Sequence, residues 1–185
     1  MISGFVNKII RLRGLNFRFD LPKKKIILQY DDLNSNILQK TIKKNFNILQ
    51  VREEKEIYFW ILLKQLILLN FKLITYYKNF IKFTSPKIII TTTDNNIQFY
   101  ELKKNFKDIQ FISIQNGTRL KYWFKSKIFE KYRDLTCDHI FVYNKYLIRK
   151  YEAIIKSNYH ILGSFKNNIV KINKNKIHNQ FLYIS

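Results

Sequence analysis

Residues 87–119 read KIIITTTDNNIQFYELKKNFKDIQFISIQNGTR. Lys87–Thr92 is a continuous β-branched run, the composition of a strand buried on both faces, and it predicts a parallel sheet with helices outside it. Asp94-Asn95-Asn96 is a turn, and Ile97–Phe106 is a helix with Phe99, Leu102 and Phe106 at helical spacing. Ile109–Gln115 repeats the strand signal and ends in Asn116-Gly117-Thr118-Arg119. Strand, helix and strand in this order define a right-handed βαβ unit.

The same alternation continues on both sides. Upstream, Lys25–Tyr30 is a strand ending in Asp31-Asp32, and Asn34 or Ser35 caps a helix that runs to about Lys44. Phe46–Val51 is a second short strand, followed by the acidic residues Glu53, Glu54 and Glu56. Ile57–Phe83 reads as two helices with a break near Asn70–Lys72, stopped at Ser85-Pro86. Downstream, helix continues to Arg133, Ile140–Tyr143 is a strand, Lys145–Lys156 a helix, and Tyr159–Leu162 a strand ending at Gly163-Ser164. The pattern predicts an α/β, Rossmann-like parallel sheet with helices on both faces. Residues 1–22 read as a leader, 23–165 as the Rossmann-like lobe and 166–179 as a polar, basic linker, while 180–185 (QFLYIS) begins a strand of a second lobe.

A chain of 185 residues fits one such domain, and 46% hydrophobic residues exclude a disordered basic tail. The single cysteine, Cys137, excludes an intramolecular disulfide. Lys and Arg number 34 against 13 Asp and Glu, a net charge of +21. The chain also holds 30 Ile, 27 Lys and 19 Asn but one Ala, the bias of AT-rich codons, so its charge reflects codon usage as well as any polyanionic partner. Basic residues are scattered through every element and form no known nucleic-acid motif, so no specific nucleic-acid partner is expected. The glycine-rich phosphate-binding patterns GxGxxG and GxxxxGK[ST] do not occur. His139, His160 and His178 are dispersed, so no metal site and no cofactor are expected. Lys64 interrupts the most apolar stretch, Ile57–Phe71, leaving it short of the ~20 residues that cross a bilayer. A half-buried helix is expected there, and Phe59, Trp60 and the neighbouring lysines suit a membrane interface.

In an open parallel sheet, ligands bind outside the carboxyl ends of the strands. That rule selects Asp31 and Asp32, Glu53 and Glu54, Asp94, Asn95 and Asn96, Gln115 to Arg119, and Gly163 with Ser164. Gly117 permits a positive φ and close approach of a ligand, Thr118 can cap the next helix, and Arg119 offers a bidentate clamp for an anion. The same residues also suit an ordinary strand–turn–helix corner. Asp94, Asn95 and Asn96 can bind sugar hydroxyls or cap the helix at Ile97, and Glu53 and Glu54 are the general-base candidates or solvated ion-pair partners.

The run Pro86–Arg119, followed after a gap by Val142–Asn168, resembles the N-terminal half of bacterial surface-carbohydrate biosynthesis proteins with a GT-B-type glycosyltransferase fold. The most specific parts are TDNN (93–96), QNG (115–117) and GSxxNN (163–168). More distantly, Ile112–Lys121 (ISIQNGTRLK) is similar to a strand and loop of CDP-glycerol glycerophosphotransferases, where a His-Gly-Thr tripeptide carries a functional His. Asn116 stands at that position and cannot act as a base, so it is expected to orient substrate through its amide.

The resemblance implies a cytoplasmic transferase of capsule or lipopolysaccharide assembly, in contact with the inner membrane surface. Its first lobe would hold a glycan or lipid-linked acceptor. A second lobe would hold a nucleotide-activated sugar donor, and transfer would be metal-independent. This chain would then carry the acceptor lobe of an incomplete enzyme. The alternative is a non-catalytic basic module that binds an anionic glycan, a membrane surface or nucleic acid.

Overall fold

Two strands drawn from apolar runs lie side by side inside the sheet. β2 (Ile27–Tyr30) is buried along its whole length and pairs in parallel with β5 (Ile88–Thr91), with Leu28 beside Ile89. The computed structural model describes residues 16–51, 56–67, 72–132 and 134–169. Around the central pair are β3 (Asn47–Leu49), β6 (Gln110–Ile114), β7 (Leu135–Val142) and β8 (Ile155–Ile161), in the order β3-β2-β5-β6-β7-β8, every pairing parallel. A separate two-stranded parallel ribbon joins β1 (Asn16–Arg18) to β4 (Glu56–Tyr58), so a strand lies inside the expected leader.

Right-handed crossovers decide where the helices go. From β2 the chain moves outward to β3 through α1 (Ser35–Ile42), which places α1 on one face. It then returns past β2 through α2 (Phe59–Ile67) and α3 (Leu73–Thr84), and continues through α4 (Ile97–Lys103), the short α5 (Lys121–Phe124) and α6 (Ile128–Lys131), and α7 (Lys145–Glu152). These later elements cover the opposite face. That face carries the larger core, in which Phe99 packs its ring 5.4 Å from Tyr30 and 5.1 Å from Phe111. The α1 face carries a smaller cluster of Ile27, Leu38, Ile90, Ile114 and Phe165. Helices therefore flank both faces of a parallel sheet, as the alternation of strands and helices predicts. No helix among the described residues is long and apolar enough to cross a membrane.

β7 and β8 are longer than their sequences suggest, and α7 ends earlier. The expected strand Ile140–Tyr143 begins at Leu135, and the expected helix end, Lys156, belongs to β8. β8 is an edge strand whose Lys156, Asn158 and His160 face solvent, so its polar alternation hides the strand. A bulge between Thr136 and His139 shifts the register of β7. There the Asp138 carboxylate accepts the Phe111 N–H (2.7 Å) and meets the Lys103 ammonium at 2.8 Å. Burial pushes the Cys137 thiol, beside this bulge, up to about 12.

Replacing Phe99 by Ala removes a fully buried ring and is expected to cost about 3–5 kcal/mol in urea unfolding. In the native protein Cys137 is expected to react with iodoacetamide at neutral pH roughly a thousandfold more slowly than in the unfolded chain, because so little thiolate is present.

Candidate functional site

The strand order reverses between β2 and β5, because the chain leaves β2 in one direction and returns to its other side. At such a switch point the loops after the two strands diverge and open a crevice at their carboxyl ends. Two residues after β2 adopt left-handed backbone, Asp31 at φ 75° and Asn34 at φ 58°. Strain of this kind persists only where surrounding contacts hold it. Here Asp31 Oδ2 accepts from the Thr93 hydroxyl (2.8 Å), and Thr92 Oγ1 donates to the Leu33 carbonyl (2.5 Å). Asn34 precedes α1 but makes no capping bond, and its amide donates to Asn116 Oδ1 (2.8 Å). The loops after β2, β5 and β6 are thereby tied together.

Asp94 is the hub of this crest. It is fully buried, and a carboxylate there needs charge-assisted partners. Arg119 supplies them through one edge of its guanidinium, Nε at 2.7 Å from Oδ2 and Nη2 on Oδ1. The Asn116 N–H donates to Oδ1 at 3.0 Å, and the Tyr151 hydroxyl of α7 donates to Oδ2. Burial works against the charge on Arg119, but its bonds to Asp94 outweigh this and hold its pKa above the ordinary value. Burial, followed by the nearby Asp94 charge, raises both Tyr100 and Tyr151, so both phenols stay protonated. Tyr100 in turn donates to the Asp94 carbonyl at 2.7 Å.

Two concavities flank the hub. One, of about 380 Å³, is lined by Thr93, Asn95, Asn96, Gln98, Ile128 and Tyr132, a mixture of amides and hydroxyls suited to a polyhydroxylated ligand. The other, of about 90 Å³, brings Arg119 together with Lys121, Lys125 and Lys150 over Phe124 and Leu147. At the end of β2, Gln29 Oε1 is buried without a hydrogen-bond partner among the described residues.

Several of the expected site residues have work inside the fold. Arg119 clamps an anion, and that anion is Asp94. Gln115 is buried, donating to the Gly117 carbonyl and accepting the Tyr143 N–H, both at 2.9 Å. Asn96 caps α4 by accepting the Gln98 N–H at 3.0 Å, whereas Asn95 is exposed beside the larger concavity. Thr118 is exposed and caps nothing, since α5 starts only at Lys121 after Leu120. Gly117 lacks the positive φ expected of it; among the described residues the glycine that has one is Gly163, at φ 72°. Ser164 accepts the Asn168 N–H through its carbonyl (3.0 Å), in the turn that returns Phe165 to the smaller core. Glu53 and Glu54 lie outside the described residues.

Sequence reading missed Tyr151, whose helical position looks like ordinary core, and the junction of Asn34 with Asn116 across 82 residues. It also missed that His139 and His160 meet, Nδ1 to Nε2, at 3.0 Å across β7 and β8.

Fold and crest define a doubly wound α/β domain with a polar crevice between the loop after β5 and α6. Residues 112–185 match a protein family described as "putative O-antigen biosynthesis protein", a stretch that runs from within β6 through α7 and β8. It includes Asn116, Arg119 and Tyr151. This similarity supports a role in surface-carbohydrate biosynthesis. No curated protein and no solved structure matches the chain.

Asp94→Ala and Arg119→Ala each strand a buried charge and are each expected to destabilise the fold by about 3–5 kcal/mol. The double variant should cost clearly less than the sum, and a double-mutant cycle by urea denaturation measures that coupling.

Proposed function

We propose that this domain is the acceptor-side lobe of a glycosyltransferase-like enzyme of O-antigen assembly. The observation that carries this reading is the polar crevice of about 380 Å³ between the loop after β5 and α6, lined by Asn95, Asn96, Thr93 and Gln98. Such amides and hydroxyls pair with sugar hydroxyls without needing a charged ligand. Similarity to an O-antigen biosynthesis family supports the substrate class.

In this reading an acceptor hydroxyl rests in the crevice and attacks a nucleotide-activated donor held by a second lobe. A new glycosidic bond forms, the bond to phosphate breaks, the nucleotide leaves with the electron pair, and a base takes the hydroxyl proton. Glu53 and Glu54 are the candidates for that base. The Asn116 amide, already fixed by Asn34, orients the acceptor. The cations of Lys121, Lys125 and Lys150 stand close enough to the hub to receive a phosphate group.

Amide chemical-shift mapping with an O-antigen oligosaccharide tests the reading. Shifts are expected to cluster at Thr93–Gln98 and to vanish in Asn95→Ala, which should change stability by no more than about 0.5 kcal/mol because Asn95 is exposed. Shifts spread over the lysine-bearing surface and abolished by salt would instead mark binding by net charge alone. In an assembly that includes a donor lobe, Asn116→Ala is expected to lower turnover, with a loss of about 1 kcal/mol of stability for the bond from Asn34.

A further inference from the structure

A second cavity lies at the opposite end of the sheet from the crevice. It has a volume of about 390 Å³ and sits where Lys24 precedes β2 and Ser85 precedes β5. Its walls are Leu21, Trp60, Ile61 and Phe83, and its cations are Lys24, Lys64 and Lys82. Asn79 also lines it, and Asn79 Nδ2 is sheltered with no acceptor among the described residues. No acidic residue lines the cavity among the described residues. The described acids in the neighbouring ribbon, Asp20 and Glu56, face Arg18 at 2.9 and 3.4 Å.

The surface around the cavity is apolar in a way that a water-facing surface rarely is. Phe19 is 66% exposed, Ile26 63%, Leu21 50% and Trp60 50%. These residues are held in place: the Trp60 indole N–H donates to the Phe19 carbonyl at 2.7 Å, and Phe59 packs between the two rings, 5.3 Å from Phe19 and 5.4 Å from Trp60. Exposed aromatic and aliphatic side chains interleaved with lysines match the boundary between lipid headgroups and acyl chains. A purely aqueous partner such as nucleic acid or a free sugar phosphate would use the lysines and leave the apolar residues in water.

We propose that this face docks on the surface of an anionic bilayer, with the cavity receiving the phosphate headgroup of one lipid between Lys24, Lys64 and Lys82. Trp60 and Leu21 then enter the interface, while the crevice at the other end of the sheet points away from the lipid. The surface is independent of the sugar-binding reading, and its test contains no sugar.

The test is flotation of the full chain with vesicles of phosphatidylcholine alone or with one-third phosphatidylglycerol. Binding is expected only to the anionic vesicles. Each lysine near an anionic surface contributes roughly fivefold, so Lys24→Gln with Lys64→Gln should lower partitioning about twentyfold. Lys43→Gln with Lys145→Gln removes the same charge from exposed positions elsewhere and should lower it less than about threefold. All four lysines are exposed, so the fold should survive in both pairs. In a Trp123→Phe background, brominated phosphatidylglycerol should quench the fluorescence of Trp60. Equal losses for the two lysine pairs would overturn the proposal by showing attraction through net charge alone. An unquenched Trp60 would overturn it by showing that this face does not meet the lipid.

Discussion

A carboxylate removed from water must be matched where it stands, and Asp94 imposes that condition on the whole crest of the sheet. Its partners come from separate parts of the chain. Asn116 and Arg119 follow β6, and Tyr151 sits on α7 beyond β7. None of these elements can move independently without stranding a charge or a phenol. The hub therefore holds the loop after β5 against the loop after β6 and against α7, and the crevice beside it inherits that rigidity. A binding site benefits from such preorganisation, because little ordering remains to be done when ligand arrives.

The strand order has a second consequence. Reversal at β2 and β5 sends α1 to one face and the remaining crossover helices to the other, so the two faces are unequally covered. It also separates the molecule into two chemically different ends. The carboxyl end presents amides, hydroxyls and a balanced ion pair, whereas the amino end presents aromatic and aliphatic side chains among lysines. A net charge of +21 does not by itself distinguish them. The arrangement does: Lys121, Lys125 and Lys150 flank the Asp94–Arg119 ion pair at the carboxyl end, while Lys24, Lys64 and Lys82 lie beside the exposed Leu21 and Trp60 at the other.

Legibility of the fold varied with burial. The apolar run Lys25–Tyr30 read as a strand and the β-branched run Lys87–Thr92 as one buried on both faces, and the observed strands Ile27–Tyr30 and Ile88–Thr91 fall within them. Edge position and a bulge obscured β8 and β7, whose polar residues face solvent or replace a ladder partner. At the site, spacing identified which residues follow the strands but not where their side chains turn. Arg119 was recognisable as an anion clamp, yet nothing in its spacing revealed that the anion is Asp94. Asn34 looked like a helix cap, but its left-handed backbone turns the amide toward Asn116 instead.

The sequence by itself determined the class of fold, the parallel sense of the sheet and the set of residues at the strand ends. Those properties follow from local periodicity and from the fixed hand of crossover connections. Only the tertiary structure decided which of those residues remain open to a ligand. Gln115 and Arg119 are consumed inside the fold, Asn95 stays exposed, and Tyr151 joins the site from 57 residues away. The reason is physical: a buried polar group takes whatever partner the packed chain brings within about 3 Å, and distance along the sequence does not limit that choice.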